Sequence, residues 1–362
     1  MYLKPLFTLL SATLCLCFPT RAFSIGKQFT EGQWGPPGRF SHSSIHFKHW
    51  KRDEIWIIGG SQKPNFKNRT CAQDANGPIA TGHWRYSILD NKWLYQDIPF
   101  MPRRGATLVK NNRKVYLHGG GTVDLKNPFR SKPIRDMWEF KHNEWQKVEI
   151  QGKHPDLYCH QSVIDSRGYV YSMGGLDGVG RNKYLYTFDG KRWSKSRTPF
   201  AKTGIIGHTL TLVEDELIYI IGGVLGDVRE KKDYNADVWT YNVLTGQWNL
   251  ECGGIPIQGH CSNKCKKVVT IANLPYCDDD IIVSGGFYPT QDEVNDEGAT
   301  HLGGTSRNIF SFNTRQKTWR SLGYMSKPRE FHTAEFDKSR LYVFGGYHIG
   351  NFWDDGEIIY LE

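Results

Sequence analysis

The stretch IWIIGG, Ile55 to Gly60, is one copy of a pattern that decides the fold. Four largely apolar residues run directly into a glycine pair, and the pattern recurs five more times along the chain. The six copies are IWIIGG with its first glycine at 59, VYLHGG at 119, VYSMGG at 174, IYIIGG at 222, IIVSGG at 285 and LYVFGG at 345. Their spacing of 48 to 63 residues suits one four-stranded β-unit with loops of variable length.

Each tetrad is apolar at nearly every position instead of at every second one. A strand with that pattern is buried on both faces, so we expect the tetrads to lie between neighbouring sheets. The glycine pair that follows lets the backbone leave the strand where a side chain would collide with the adjoining sheet.

Five tryptophans give a second periodic signal between the glycine pairs. Each has an aromatic residue seven positions before it, with turn-forming residues such as LDNK or FDGK in between, so each pair is predicted to span a β-hairpin. The pairs are Tyr86 and Trp93, Trp138 and Trp145, Tyr186 and Trp193, Tyr241 and Trp248, and Phe312 and Trp319.

The sixth repeat lacks the corresponding tryptophan after Gly346, whereas Trp34 lies near the N-terminus, ahead of the first glycine pair. A ring of sheets is stable only if its last sheet meets its first. We therefore predict that residues around Gln28 to Trp34 complete the last sheet by pairing with the C-terminal strand that ends IIYLE.

These repeats, which cover nearly the whole chain, resemble the kelch family of β-propellers. The resemblance implies an all-β, six-bladed kelch β-propeller whose last blade is closed by the N-terminal strand. The implied blades are about 37–98, 99–151, 152–200, 201–251, 252–324, and 325–362 plus 28–34. The resemblance implies little about chemistry, since kelch propellers include adaptor proteins, extracellular recognition domains, copper oxidases, sugar mutarotases and plant specifier proteins.

The N-terminal stretch 1–24 has a lysine, a short apolar run and small residues near its end, which is typical of a cleaved secretory signal. The apolar run is shorter than the ~20 residues that cross a bilayer, and an uncleaved anchor is the alternative. The mature chain, 25–362, is then predicted to be a secreted, single-domain monomer without membrane insertion.

The formal net charge is +9, but the basic residues are spread along the sequence and do not form one run. Together with export, that distribution does not favour nucleic acid. A protein with acidic character or an anionic glycan remains the expected partner.

Six cysteines remain after the predicted signal: Cys71, Cys159, Cys252, Cys261, Cys265 and Cys277. An even number in an oxidising compartment favours disulfides, and we expect at least one bridge within 252–277, although the pairing stays open. The alternative for that cluster, which includes His260, is a zinc site. Asn68 begins a glycosylation sequon.

With the strands of each blade labelled a to d from the channel outward, the b–c and d–a connections share one face, the upper face. Long loops on that face make it the expected place for binding. Arginines gather there and are predicted to hold carboxylates or sulfates: Arg39, Arg103, Arg104 and Arg329 at the channel mouth, with Arg181 and Arg229 in the loops. The alternative is that arginines at the starts of strands a bond neighbouring blades. His42, His160, His208 and His332 recur at related positions and are interpreted as structural.

The stretch DEVNDEGATHLGG, 292–304, spaces Glu293, Glu297 and His301 four residues apart within an upper-face loop. Two carboxylates and an imidazole suit Fe²⁺ or another divalent ion. The spacing resembles the iron motif of the plant specifier proteins, with Glu297 in place of an aspartate. The favoured interpretation is a solvated acidic loop without a cofactor, and the metal site is the alternative.

The favoured function is a secreted recognition module that binds a protein or glycan through its upper face, without catalysis. Two enzyme classes are the alternatives. One is an Fe²⁺-dependent, specifier-like activity, and the other is a sialate mutarotase that uses Arg229 and Glu230. No catalytic residue is assigned, because no triad, phosphate loop or dinucleotide motif accompanies the repeats.

Overall fold

The apolar tetrads form the second strands of six four-stranded antiparallel sheets, which stand around a central channel in the computed structural model. The structure describes residues 25–28, 35–49, 51–62, 78–123, 131–226, 233–265, 280–288, 304–337, 340–348 and 351–360. Each sheet is one blade of a six-bladed β-propeller, so the predicted all-β fold is confirmed. Within the described ranges, no helix is long and apolar enough to span a membrane.

The blade strands, numbered in chain order, have the following bounds. They are β1 Ile25–Gln28, β2 Ser43–His49, β3 Arg52–Ile58, β4 His83–Ser87, β5 Lys92–Gln96, β6 Thr107–Lys110, β7 Val115–His118, β8 Met137–Lys141, β9 Glu144–Lys147, β10 Gln161–Ile164, β11 Val170–Met173, β12 Tyr184–Phe188, β13 Trp193–Arg197, β14 Thr209–Val213, β15 Leu217–Ile221, β16 Asp237–Asn242, β17 Trp248–Gly253, β18 Cys261–Lys264, β19 Asp280–Ser284, β20 Asn308–Asn313, β21 Thr318–Tyr324, β22 Thr333–Asp337, β23 Arg340–Phe344 and β24 Gly356–Tyr360.

Short strands of two or three residues form small sheets at the upper end of five blades, each within its own blade. They are Arg39–Phe40 with Ser61–Gln62, Gly121–Val123 with Ser131–Pro133, Ile205–Ile206 with Val224–Leu225 and Asp233–Tyr234, Phe287–Tyr288 with Gly304–Thr305, and Tyr347–His348 with Asn351–Phe352. They extend the scaffold upward, and the upper-face loops start from them.

The tetrads are the most buried part of the molecule, as their sequence predicts. Ile57, Leu117 and Val283 expose none of their surface. The described core divides into six hydrophobic clusters, one at each interface between neighbouring blades. Apolar contact on both sides of every strand b therefore holds the ring together.

Each glycine pair makes the same contact with the next blade. The first glycine has φ near +60 to +70°, and the N–H of the second donates to a carbonyl just ahead of the next strand a. The six bonds are Gly60 to Arg103 (2.9 Å), Gly120 to Leu157 (2.8 Å), Gly175 to Ile205 (2.9 Å), Gly223 to Ile257 (2.7 Å), Gly286 to Arg329 (2.8 Å) and Gly346 to Arg39 (2.8 Å). The predicted role of the glycines is thus refined: they allow a backbone hydrogen bond between blades.

The tryptophans lie on hairpins, but not all face the predicted partner. Trp93, Trp248 and Trp319 lie opposite the aromatic residue seven positions earlier, whereas Trp145 and Trp193 lie opposite Phe140 and Phe188, five positions earlier. In these two hairpins the tryptophan pairs with the aromatic residue nearer to the turn, so the strand register decides which aromatic residue it faces. Ring centroids in the facing pairs are 4.8 to 5.3 Å apart.

The N-terminal strand closes the ring. β1 pairs with β24 as the outermost strand of the sixth blade, with Ile25 opposite Ile359 and Gln28 opposite Glu357. The pairing thus starts earlier in the chain than the predicted Gln28 to Trp34, and residues 29–34 lie outside the described part. The sheet's last strand nevertheless comes from the N-terminal side, as predicted.

Candidate functional site

A ring of backbone hydrogen bonds forms the neck of the channel. In every blade, the residue two positions ahead of strand a has a left-handed backbone with φ between 52° and 72°. These neck residues are Ser41, Gly105, Cys159, Gly207, Gly259 and Phe331. Five bonds of 2.7 to 3.0 Å join successive members: Gly105 to Ser41, Cys159 to Gly105, Gly259 to Gly207, Phe331 to Gly259 and Ser41 to Phe331. The neck gives a fixed frame for the side chains above it.

Three of the predicted binding arginines lie inside the protein. Arg39, Arg103 and Arg329 expose none of their surface. In each, Nη1 donates to the first glycine carbonyl of its own blade, at 3.0, 2.9 and 2.7 Å. Burial lowers the pKa of Arg39 to about 9. These guanidinium groups are not presented to a ligand.

Carboxylates neutralise two of these arginines. Asp136 accepts bonds from both Nη atoms of Arg103, and Asp355 accepts 2.7 Å from Nη2 of Arg329. Burial opposes the ionisation of both acids, but the arginine contacts hold the pKa of each below its usual value. The guanidinium groups bond within their own blade, and the backbone carbonyls of the same arginines accept from the preceding blade. The alternative interpretation, in which these arginines hold the blades together, therefore describes them better than ligand binding.

Arg104 is also buried, but it keeps 7% of its surface exposed whereas Arg103 exposes none. Its guanidinium donates to Ser131 Oγ at 3.0 and 2.6 Å and lies 3.3 Å from Ser61 Oγ. Burial lowers its pKa. Arg181 is half-buried, and its Nη1 donates to the carbonyl of Val224. Arg229 lies outside the described residues.

Aromatic side chains that the sequence did not single out lie at the channel mouth. The ring of Phe40 is 5.3 Å from Phe352, 6.0 Å from Tyr347 and 6.4 Å from Phe331, and all four are half-buried. Phe40 pairs with Ser61, which Arg104 contacts. We call Arg104, Phe40, Phe331, Tyr347 and Phe352 the mouth cluster.

Alignment of the six repeats in the sequence points to the position of Phe40 and Arg104, just before the neck. The residue just before the neck is Phe40, Arg104, Tyr158, Ile206, Gln258 or Glu330, each of which pairs with the start of a b–c loop. Structural positions repeat from blade to blade, whereas this one changes in every blade. Variation on a fixed frame is what a selective surface requires.

The channel below the neck has a volume of about 460 Å³ and is lined by strands a of all six blades. The four histidines that the sequence identified as recurrent line its upper part, together with His260 at the same position of blade 5. His42, His160 and His260 each bond a threonine of the preceding blade, at 2.8 to 3.0 Å. Burial lowers the pKa of His160, His208, His260 and His332 to about 3, so these rings are neutral. Their structural interpretation agrees with these contacts.

Glu335 is the charged group of the channel wall. Its carboxylate accepts from Ser44 Oγ at 2.6 Å and from the N–H of His46 at 3.0 Å. Burial raises its pKa despite these bonds.

The predicted iron ligands Glu293, Glu297 and His301 lie outside the described residues, so the iron site stays a prediction. Among the described residues, His46, Asp53 and Asp337 bring possible ligand atoms together. His46 Nε2 is 2.6 Å from Asp53 Oδ1, and Lys48 and Arg340 pair with the two acids at 3.1 Å. Those ion pairs already satisfy the carboxylates, so we assign no metal there.

The described cysteines with free thiols are Cys159, Cys252 and Cys261. Burial raises the pKa of Cys159 to about 11 and that of Cys261 further, so neither is a reactive thiolate. Cys71 and Cys277 lie outside the described residues.

Fold and repeat contacts together define a kelch-repeat β-propeller, which in general is a protein-interaction module. The family model described as the KLHDC2/KLHL20/DRC7 Kelch-repeats domain matches residues 84–286. The chain belongs to this kelch-repeat family.

Similar proteins agree with the assignment. Kelch domain-containing protein 10 of Xenopus laevis is 22% identical over 339 residues, which cover 87% of this chain and 73% of that protein. Alpha-scruin of Limulus polyphemus is 20% identical, over 73% of this chain and 27% of its own length. The solved structure of YjhT has a TM-score of 0.60 at 16% identity and covers 91% of this chain and 95% of its own. That last similarity shows the fold alone.

Proposed function

We propose that this propeller is an exported recognition module that binds a protein segment with both a carboxylate and apolar side chains. The observation that carries the proposal is the mouth cluster. Arg104 contacts Ser61, which pairs with Phe40, and the ring of Phe40 lies among three other half-buried aromatic rings. A guanidinium held by neutral serine hydroxyls can exchange them for a carboxylate, and aromatic rings bury an adjoining apolar side chain.

Export is part of the proposal and is supported by the signal-like stretch 1–24. An oxidising compartment would also form the expected bridge within 252–277. Cys265 is not a free thiol, and Cys277 lies 12 residues further along the same a–b connection. We expect mass spectrometry of the exported protein to find an N-terminus at Ile25 and a Cys265–Cys277 peptide. A retained leader would contradict export, and a reduced Cys277 would contradict the bridge.

A displayed random peptide library tests the recognition site directly. Peptides selected on the wild-type protein should carry Asp, Glu or a free C-terminal carboxylate next to apolar residues. Arg104→Ala should weaken their binding about tenfold or more, because a charge-assisted hydrogen bond is lost. Phe352→Ser should weaken it as well.

The matched control is Arg113→Ala, which removes the same charge from an exposed turn of the same blade on the opposite face. It should leave peptide binding unchanged. Selected peptides without a carboxylate, or equal binding to wild type and Arg104→Ala, would show that the mouth cluster is not the recognition site.

A further inference from the structure

A second concave surface lies on the lower face, which carries the a–b and c–d turns. This cleft, of about 610 Å³, separates the turns of blades 1 and 2. Blade 1 contributes Lys48, Lys51 and Arg52 to its wall. Blade 2 contributes Lys110, Arg113, Lys114 and Lys141. We call it the basic cleft. Residues that are scattered in the sequence are gathered here by the fold.

The basic cleft has a strong excess of positive charge. Seven of the described residues that line the cleft are Lys or Arg, and no described lining residue is Asp or Glu. Two lysines have carboxylate partners, with Lys48 at 3.1 Å from Asp53 and Lys141 at 2.8 Å from Glu139. Like charges held together raise the local potential and attract anions.

The turn that carries Arg113 and Lys114 is ordered by hydrogen bonds. Asn111 Oδ1 accepts from the N–H groups of Arg113 and Lys114, both at 2.9 Å, and Asn111 Nδ2 donates to the carbonyl of Asp165 at 2.8 Å. The other turn of blade 2 contains His142 and Asn143, both with positive φ. Cations on the walls of two blades match a ligand whose anionic groups are themselves spaced apart.

The phenylalanines among the described residues of the cleft, Phe47 and Phe140, do not suit single-stranded nucleic acid. Phe47 stacks on Trp56 with a centroid separation of 4.1 Å, and Phe140 packs on Trp56 and Trp145 at 4.7 and 5.3 Å. Base stacking needs free aromatic faces, and here the protein itself uses them. The exposed amides of Asn112 and Asn143 instead offer donors and acceptors for hydroxyl groups.

We propose that the basic cleft binds a sulfated glycan segment. Lysine ammonium groups are compact point charges that bind sulfates without a required orientation, and asparagine amides bind the sugar hydroxyls between them. This second surface is separate from the mouth cluster, so a kelch module of this kind would hold a glycan on one face and a protein on the other.

The test measures binding of a highly sulfated heparin hexasaccharide to the whole protein by calorimetry at several salt concentrations. Wild-type protein should bind, and rising salt should weaken binding, because ions screen exposed charges. Lys51→Glu with Arg113→Glu should weaken it about tenfold or more, since two exposed attractive charges become repulsive. The desulfated hexasaccharide should not bind.

The control is Lys191→Glu with Arg192→Glu, an equal charge change in an exposed lower-face turn of blade 3. It should keep hexasaccharide binding within about threefold of wild type. Binding that survives the cleft reversal would overturn the proposal. So would equal or tighter binding of a single-stranded oligonucleotide or phosphatidylserine vesicles, or of an acidic peptide whose binding the cleft reversal removes. Arg104→Ala should leave glycan binding unchanged, so this test and that of the recognition site fail independently.

Discussion

At the scale of residues, the buried arginines show how one side chain can connect three parts of a blade. Arg103 donates to Met101 O at 3.1 Å, to Gly119 O at 2.9 Å and to Asp136. Its own carbonyl accepts from Gly60 of the preceding blade at 2.9 Å. The arginine therefore joins the entry of strand a, the exit of strand b and the start of strand c.

Replacing Arg103 should lower the stability of the folded protein. Arg103→Met leaves the carboxylate of Asp136 without its main partner, so we expect the free energy of unfolding to fall by about 3 kcal/mol. Urea denaturation measures it, and Arg113→Met at an exposed position should change it by less than about 0.5 kcal/mol. A similar small loss for both variants would show that the arginine network is dispensable.

The buried histidines predict a dependence of stability on pH. Their pKa in the folded protein is about 3, whereas an unfolded histidine has a pKa of ~6.5. Below pH ~6.5 the unfolded chain binds protons that the folded one does not, so stability is full above that pH and falls as pH decreases toward 3. Each such histidine should contribute up to ~1.4 kcal/mol per pH unit.

Urea denaturation between pH 7 and 5 measures this slope. His260→Gln, which can keep the bond to Thr209, should reduce it by about one proton. A stability that stays constant from pH 7 to 5 would contradict the role of the buried rings.

At the scale of elements, sequence predicts what depends on local pattern and misses what depends on neighbours in space. Continuous apolarity correctly predicts a doubly buried strand, and glycine pairs predict where it ends. The burial of Arg103 was not predictable in the same way, because its partner Asp136 is 33 residues away. A usable signal exists: Arg329 has Asp355 just ahead of strand c, as Arg103 has Asp136. The mouth cluster also escapes local patterns, since its rings come from both ends of the chain.

The glycine pairs give a prediction at this scale. A Cβ added to Gly222, which has φ +62°, would lie 2.2 Å from the carbonyl of Ile257 in the next blade. Gly222→Ala should therefore destabilise the protein by roughly 3 kcal/mol or more, through collision as well as backbone strain. Thermal unfolding followed by circular dichroism measures the loss.

Gly226 separates the two causes. It has φ +82°, but a Cβ there would meet no atom of the described residues within 4 Å. Gly226→Ala should therefore cost only the left-handed backbone strain, about 1 kcal/mol. Equal losses at both positions would mean that the interblade contact adds nothing.

At the scale of the whole molecule, closure determines how the ring resists opening. Five blades are continuous in the chain, and the sixth is completed by β1 at its outer edge. Separating blades 6 and 1 therefore also requires breaking a sheet, whereas other interfaces rely on side-chain packing and the glycine bonds. Sequence predicted that the N-terminal side supplies this strand, although the strand is Ile25–Gln28 and the displaced Trp34 lies outside the described residues.

Circular permutation tests closure without changing composition. Ile25 lies opposite Ile359, so in a chain made to start at Ile25 a short Gly/Ser linker can join the two ends. One permutant opens between Lys202 and Thr203, between blades 3 and 4, so that no blade is shared between the two ends. The other opens between Lys191 and Arg192, in the c–d turn of blade 3, so that this blade is completed from both ends.

The two permutants should differ in unfolding rate. The one opened between blades can separate at a packed interface alone, so it should unfold about tenfold faster than the one opened within blade 3, which must also break the β12–β13 pairing. Unfolding in concentrated urea, followed by tryptophan fluorescence, measures both rates. Since both variants carry the same linker and the same new charges at their ends, equal rates would show that packing between blades, and not the shared sheet, limits opening of the ring.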